Sequence, residues 1–387
     1  MPFVLCSVPA LVMVRTPPWA YHGFDQFPAL FFGANSSGLE SGTQLEAVSR
    51  FQLAGWGWQQ DTDSVPSAYD GHYYSEELRM AQMATRMEAF LEFTGRPPSP
   101  LFVYRHTQMA LSWFALQEAA FRNPLNADLF LHDQQGRLCF DNYWGGPSWN
   151  WSNPRAVDFW VDEIVGELAS ESSISAVFFD ETDAFNCNPG PQVSNCTLGQ
   201  LWVDLELPGM VRAKLQAMRR TAERLNAHGI WPMISMINGF EGNVLDSQKK
   251  CLVPFNETWD ALQSVGWMRF YEFGVASPAA LRQALREREL GLPTVVHAWI
   301  DAPANGSAAV TLHTACFLLQ QANYSYFGAS QSWVEPGSTT WPKEYELSCR
   351  APLGPPAFDE STGWTREFEG CTVRVDANVT VGQIAVK

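Results

Sequence analysis

Eight short apolar runs, rich in aromatic and β-branched residues and interleaved with helical segments, predict a (β/α)8 TIM barrel. Long loops after the third and fourth runs agree with that fold, because insertions after barrel strands build the catalytic face. No G-x-G-x-x-G or G-x-x-x-x-G-K-[ST] loop is present to cradle phosphates, which counts against the main alternative, an open doubly wound sheet.

The predicted strands run from Ala29 to Gly33, Arg50 to Gly57, Leu101 to Arg105, Ala176 to Asp180, Trp231 to Ile237, Met268 to Phe273, Thr294 to Trp299 and Tyr324 to Gly328. Helices are expected at Ser75 to Phe93, Pro154 to Ser170, Leu207 to His228, Ala279 to Arg288 and Ala308 to Asn323. Their starts carry physical signals. Asn153 and Ser277 can cap exposed N–H groups, and Pro154 and Pro278 follow where a missing N–H is harmless. Gly229 ends the third of these helices as a left-handed glycine should.

Three parts follow along the chain. Residues 1–27 form an N-terminal segment, either a remnant signal peptide or a first strand; 28–334 form the barrel; 335–387 form a loop and a closing β-hairpin. The insertions run from Thr107 to Trp151 and from Phe185 to Leu205.

The formal net charge of -16 over 387 residues repels phosphate backbones, and no local basic stripe offsets it, so nucleic acid is not an expected partner. No apolar run reaches the roughly 18 to 20 residues that span a bilayer. N-x-[ST] sequons stand at Asn35, Asn150, Asn195, Asn256, Asn305, Asn323 and Asn378, against about two expected by chance. With 8 cysteines, they point to a secreted or lumenal, N-glycosylated protein. Cys187 with Cys196, and Cys349 with Cys371, are candidate disulfides. No Cys-x-x-Cys or Cys/His cluster suggests zinc, and no cofactor or metal is expected.

A carboxylate directly after an apolar barrel strand is a candidate catalyst. The fourth strand ends in Asp180 and Glu181, with Asp183 beyond. The fifth leads to Asn238 and Glu241, the sixth holds Glu272, and the seventh runs through His297 and Trp299 to Asp301. Period-two alternation sends Asp180 and Glu181 opposite ways, so one of them faces the barrel mouth. Two carboxyl groups, one protonated and one ionised, are what glycoside hydrolysis requires. Glu272, among Phe270, Tyr271 and Phe273, suits the acid, and Asp180 the nucleophile.

The structural alternative for Glu272 is an ion pair with Arg269 or Arg105; for Asp180 and Glu181 it is helix capping or a calcium-like cluster. Arg105 and His106 end the third strand, placed either to bind substrate hydroxyls or a carboxylate or to serve a structural role, and His297 is either a substrate ligand or a satisfied barrel-interior histidine. The segment from Asp141 through Trp144 to Gly146, and Trp149-Asn150-Trp151, resemble a sugar-binding loop, and aromatics such as Trp56 and Trp341 either add stacking surface or are simply buried, as many are in a large barrel.

Four stretches, Trp151-Ser152-Asn153-Pro154, Ala176-Val177-Phe178-Phe179-Asp180, Ile237-Asn238-Gly239 and Phe270-Tyr271-Glu272-Phe273, resemble the glycoside-hydrolase-like TIM barrels related to endo-α-polygalactosaminidases. The resemblance implies Asp180 and Glu272 as the acidic pair and Asn238 as a substrate ligand. Ala176 stands where that family commonly has glycine, and Glu181 follows Asp180 directly. The expected function is therefore hydrolysis of an oligo- or polysaccharide. The alternatives are a non-catalytic carbohydrate-binding barrel and a hydrolase using a divalent cation on Asp180, Glu181 and Asp183.

Overall fold

The computed structural model describes residues 15–19, 24–34, 42–57, 76–133, 135–139, 146–182, 184–186, 207–235, 250–252, 255–300, 307–331 and 339–387. Eight parallel strands form one sheet: β1 (Leu30–Gly33), β2 (Leu53–Trp56), β3 (Leu101–His106), β4 (Ala176–Asp180), β6 (Trp231–Ser235), β8 (Met268–Tyr271), β9 (Thr294–Trp299) and β10 (Ser325–Ser330). Between them in the chain lie two short strands, β5 (Ala184–Asn186) and β7 (Lys250–Leu252), which pair with each other. The sheet closes where Ala29, just before β1, bridges to Phe327 of β10, and the Phe327 N–H donates to Pro28 at 2.9 Å. The chain is a (β/α)8 TIM barrel.

The helices are α1 (Gly42–Val48), α2 (Glu76–Phe93), α3 (Ala115–Arg122), α4 (Pro154–Phe159), α5 (Val165–Ala169), α6 (Leu207–Asn226), α7 (Phe255–Leu262), α8 (Pro278–Glu289) and α9 (Ala308–Gln320). One π turn, Trp160–Ile164, links α4 to α5, so the predicted Pro154 helix is a single rod with a bulge. Asn153 accepts from the Arg155 N–H at 3.0 Å, and Ser277 from the Ala280 N–H at 3.2 Å, with a proline opening each helix. Gly229 takes the left-handed backbone, φ 77°. α1, α3 and α7 escape periodicity because each is 7 or 8 residues long, about two turns.

Aromatic rings fill the barrel. Phe32, Phe102, Phe178 and Phe270 meet there, with Phe32 to Phe178 centroids at 5.3 Å and Phe178 to Phe270 stacked at 4.0 Å. Gly55 of β2 makes room: a Cβ there would lie 2.3 Å from the Phe102 ring. A second buried aromatic group sits outside the sheet, where Trp149, Trp151 and Trp160 pack together with Phe130 and Phe159.

The predicted hairpin is the centre of a larger unit. β12 (Gly363–Glu367) and β13 (Cys371–Val375) are flanked by β11 (Ala357–Asp359) and β14 (Gly382–Val386) in a four-stranded antiparallel sheet packed on α9. The Cys349–Cys371 disulfide fastens it. Cys187 and Cys196 lie outside the described residues. No helix of the described residues is long and apolar enough to cross a membrane.

Candidate functional site

The site grows out of the aromatic stack. Side chains two apart on a strand share a face, so Phe178 pointing into the barrel carries Asp180 to the mouth above it. Glu272 follows two residues after Phe270, in the turn just beyond the end of β8. Phe178 and Phe270 touch ring to ring, and Asp180 and Glu272 both act electrostatically on the Tyr104 hydroxyl. Both acids are half-buried.

Asp180 is held at several atoms. Its Oδ2 accepts from the Tyr104 hydroxyl at 2.9 Å, and its Oδ1 from the Glu181 N–H at 2.8 Å. Its carbonyl accepts from the Thr107 N–H at 3.1 Å and the Thr107 hydroxyl at 2.6 Å. Glu181 follows in the left-handed region, φ 54°, a strained conformation for a residue with a Cβ. That turn aims its N–H at Asp180, while its carbonyl accepts from the ammonium of Lys214, a fully buried residue of α6.

Tyr104 is the residue the sequence pattern overlooks. It has no motif, and its only signal is its inward place on β3, opposite Phe178 in register. Burial pushes its phenol pKa well up, and Asp180, Glu272 and Glu181 push it further, so the hydroxyl keeps its proton and donates.

Of the two roles open to Arg105, substrate ligand and structural residue, the structure favours the second, because its side chain faces the other way. Alternation puts it on the opposite side of β3 from Tyr104. Its guanidinium is buried 5.0 Å over the Phe114 ring, and its Nη1 donates to the Tyr104 carbonyl at 2.8 Å. Burial pulls its pKa down, opposed by Glu77 of α2 and Glu167 of α5. Its role is structural. Arg269 is also committed elsewhere, lying 3.5 Å from Glu287 in a fully buried pair that also receives the Tyr271 hydroxyl. Both ion-pair partners considered for Glu272 therefore serve the outer layer.

His297 belongs to the site but not at its surface. It is 1% exposed, with Nε2 2.8 Å from the Ser330 hydroxyl and Nδ1 3.4 Å from the Glu272 carbonyl. Burial lowers its pKa to about 3, so the ring is neutral. A carbonyl can only accept, so Nδ1 carries the proton and Nε2 accepts from Ser330. His297 thus steadies the backbone of Glu272 rather than reaching substrate. His106 accepts at Nδ1 from the N–H groups of Gln108 and Met109, both at 3.2 Å, and shapes the loop leaving β3. Trp299, 43% exposed at the end of β9 with its ring 6.5 Å from that of Phe273, does offer a surface.

The expected sugar-binding aromatics divide. Trp56, Trp149 and Trp151 are at most 1% exposed and belong to the core, with the Trp151 N–H donating to the Thr107 carbonyl at 3.1 Å. Close packing, not recognition, accounts for them. Asp183, Asn238, Glu241, Asp141, Trp144 and Asp301 lie outside the described residues.

No family model matches the chain, and no curated protein matches it. Among solved structures it is similar to Aspergillus fumigatus Ega3 in complex with galactosamine, at 11% identity over 84% of this chain and 97% of that one, TM-score 0.44. It is also similar to a Flavobacterium johnsoniae GH31 dextranase complexed with glucose, at 9% identity over 97% of this chain, TM-score 0.49. A family GH13_31 enzyme is similar at 10% identity over 80% of this chain and 66% of that one, TM-score 0.45. The chain spans about half the length of the dextranase, 52%.

Proposed function

We propose that this protein is a glycoside hydrolase that cleaves an extracellular or lumenal oligo- or polysaccharide with Asp180 and Glu272. The observation that supports the reading is the stacked Phe178 and Phe270 pair, each ring standing two residues before one of the acids. Asp180 has a donor on each oxygen, the environment of an ionised carboxylate, and acts as nucleophile or base. Glu272 rises above apolar rings and gives a proton to the leaving oxygen. Trp299 supplies a stacking face for a sugar ring. Asp183, Asn238, Asp141, Trp144 and Asp301, with the side chain of Glu181, are assigned to substrate on the sequence pattern alone.

The test is turnover of a glycan panel that includes galactosamine polymers by the parent, Asp180→Asn and Glu272→Gln. Parent activity that falls at least ~10³-fold in each variant is expected. Two variants as active as the parent would rule the pair out. Glycan binding without turnover by the parent would favour the carbohydrate-binding reading instead.

A further inference from the structure

We infer that Tyr104 is the positioning residue of this site, its hydroxyl holding Asp180 ionised and fixed in direction. The inference rests on the glycosidase reading for its meaning in catalysis, but its geometry stands by itself.

Asp180 faces a demanding neighbourhood. Glu181 is adjacent, and Glu272 comes from the end of β8 close enough to act electrostatically on the same tyrosine hydroxyl. Like charges disfavour a second ionised carboxylate. Other ionisable groups nearby are His106, whose ring lies 6.5 Å from that of Tyr104; His297, held between Glu272 and Ser330; and Lys214, which donates to the Glu181 carbonyl. The Glu181 N–H donates to Oδ1 of the Asp180 carboxylate, and Tyr104 Oη donates to Oδ2. Of these, only the tyrosine is a side chain that substitution can remove.

The hydroxyl is well placed for that role. Tyr104 is 5% exposed, and its ring is gripped between Phe178 at 5.6 Å and Phe114 at 6.5 Å, so the oxygen has little room to move. Burial keeps the phenol protonated, which makes it a donor at any working pH. A fixed donor lowers the affinity of Asp180 for a proton and holds its carboxylate in one orientation. Oδ2 accepts from the Tyr104 hydroxyl, and Oδ1 accepts from the Glu181 N–H.

The decisive measurement needs no substrate. Protein with ¹³C-labelled aspartate carboxyls is titrated by NMR, and the Asp180 resonance is identified by its loss in Asp180→Asn. Tyr104→Phe keeps the ring and its packing while removing the donor. The Asp180 midpoint should then rise by about one pH unit. Replacing Tyr104 with 3-fluorotyrosine barely alters shape and makes the phenol a stronger donor, so the midpoint should fall. An Asp180 midpoint that moves in neither protein would overturn the inference, even if Tyr104→Phe proved unstable.

On any glycan whose turnover Asp180→Asn abolishes, Tyr104→Phe should lower kcat about 10- to 100-fold with KM little changed. The acid limb of its pH profile should move upward with the midpoint. If the midpoint moves but Asp180→Asn stays active, the positioning role stands and the glycosidase reading falls.

Discussion

Phe178 and Phe270 lie ring on ring, centroids 4.0 Å apart and 27° from parallel, although they belong to strands separated by β6. The two rings stand two residues before Asp180 and Glu272 in the chain. Phe270→Ala would leave a cavity beneath Glu272 and strip Phe178 and Phe32 of a partner. Stability should fall by about 3 to 5 kcal/mol, read from denaturant unfolding. A loss below ~1 kcal/mol would mean that the barrel centre is not closely packed.

Lys214 reaches the site from the outer helix layer. Its ammonium donates to the carbonyl of Glu181, whose left-handed backbone in turn presents the N–H to Asp180. Lys214→Met keeps the buried stem and removes the donor. The variant should remain folded, and kcat on a responsive glycan should drop about tenfold because the Glu181 turn relaxes. Parental kcat in a folded variant would show that the turn holds without the lysine.

His297 links stability to pH. Its folded pKa is near 3, below the ordinary 6.5, so between those values the unfolded chain binds more protons than the folded one. Stability from the neutral ring is complete above pH 6.5 and is lost as pH falls toward 3. The loss is on the order of 5 kcal/mol at most. His313 of α9, lowered to about 4 by burial, acts in the same direction. Unfolding free energies measured from pH 7 to 4 should decline, and His297→Gln should flatten the decline. An identical slope in the two proteins would dissociate His297 from the effect.

Much of this molecule is legible in its chain. β4 and β9 begin and end where alternation and flanking residues place them, and the caps at Asn153 and Ser277 form as their side chains require. Such features depend on neighbours a few residues away. Asp180 and Glu272 were also visible, because a carboxylate closing an apolar strand is a local pattern.

What local pattern does not reveal is which way a residue at a given position faces and whether water reaches it. Arg105 and Tyr104 are adjacent and both polar at one end, yet one is buried among α2, α5 and Phe114 while the other bonds Asp180. Trp149 and Trp151 look like a sugar platform until Trp160 and Phe159 close over them.

The sequence by itself therefore determined the strand and helix alternation, and the two acids at strand ends, since these follow from periodicity and short-range chemistry. Only the tertiary structure decided that Tyr104 serves Asp180, that His297 steadies Glu272, and that Arg105 serves neither. Those choices depend on the closure of the sheet and on which side chains the barrel excludes from water, and both are properties of residues far apart in the chain.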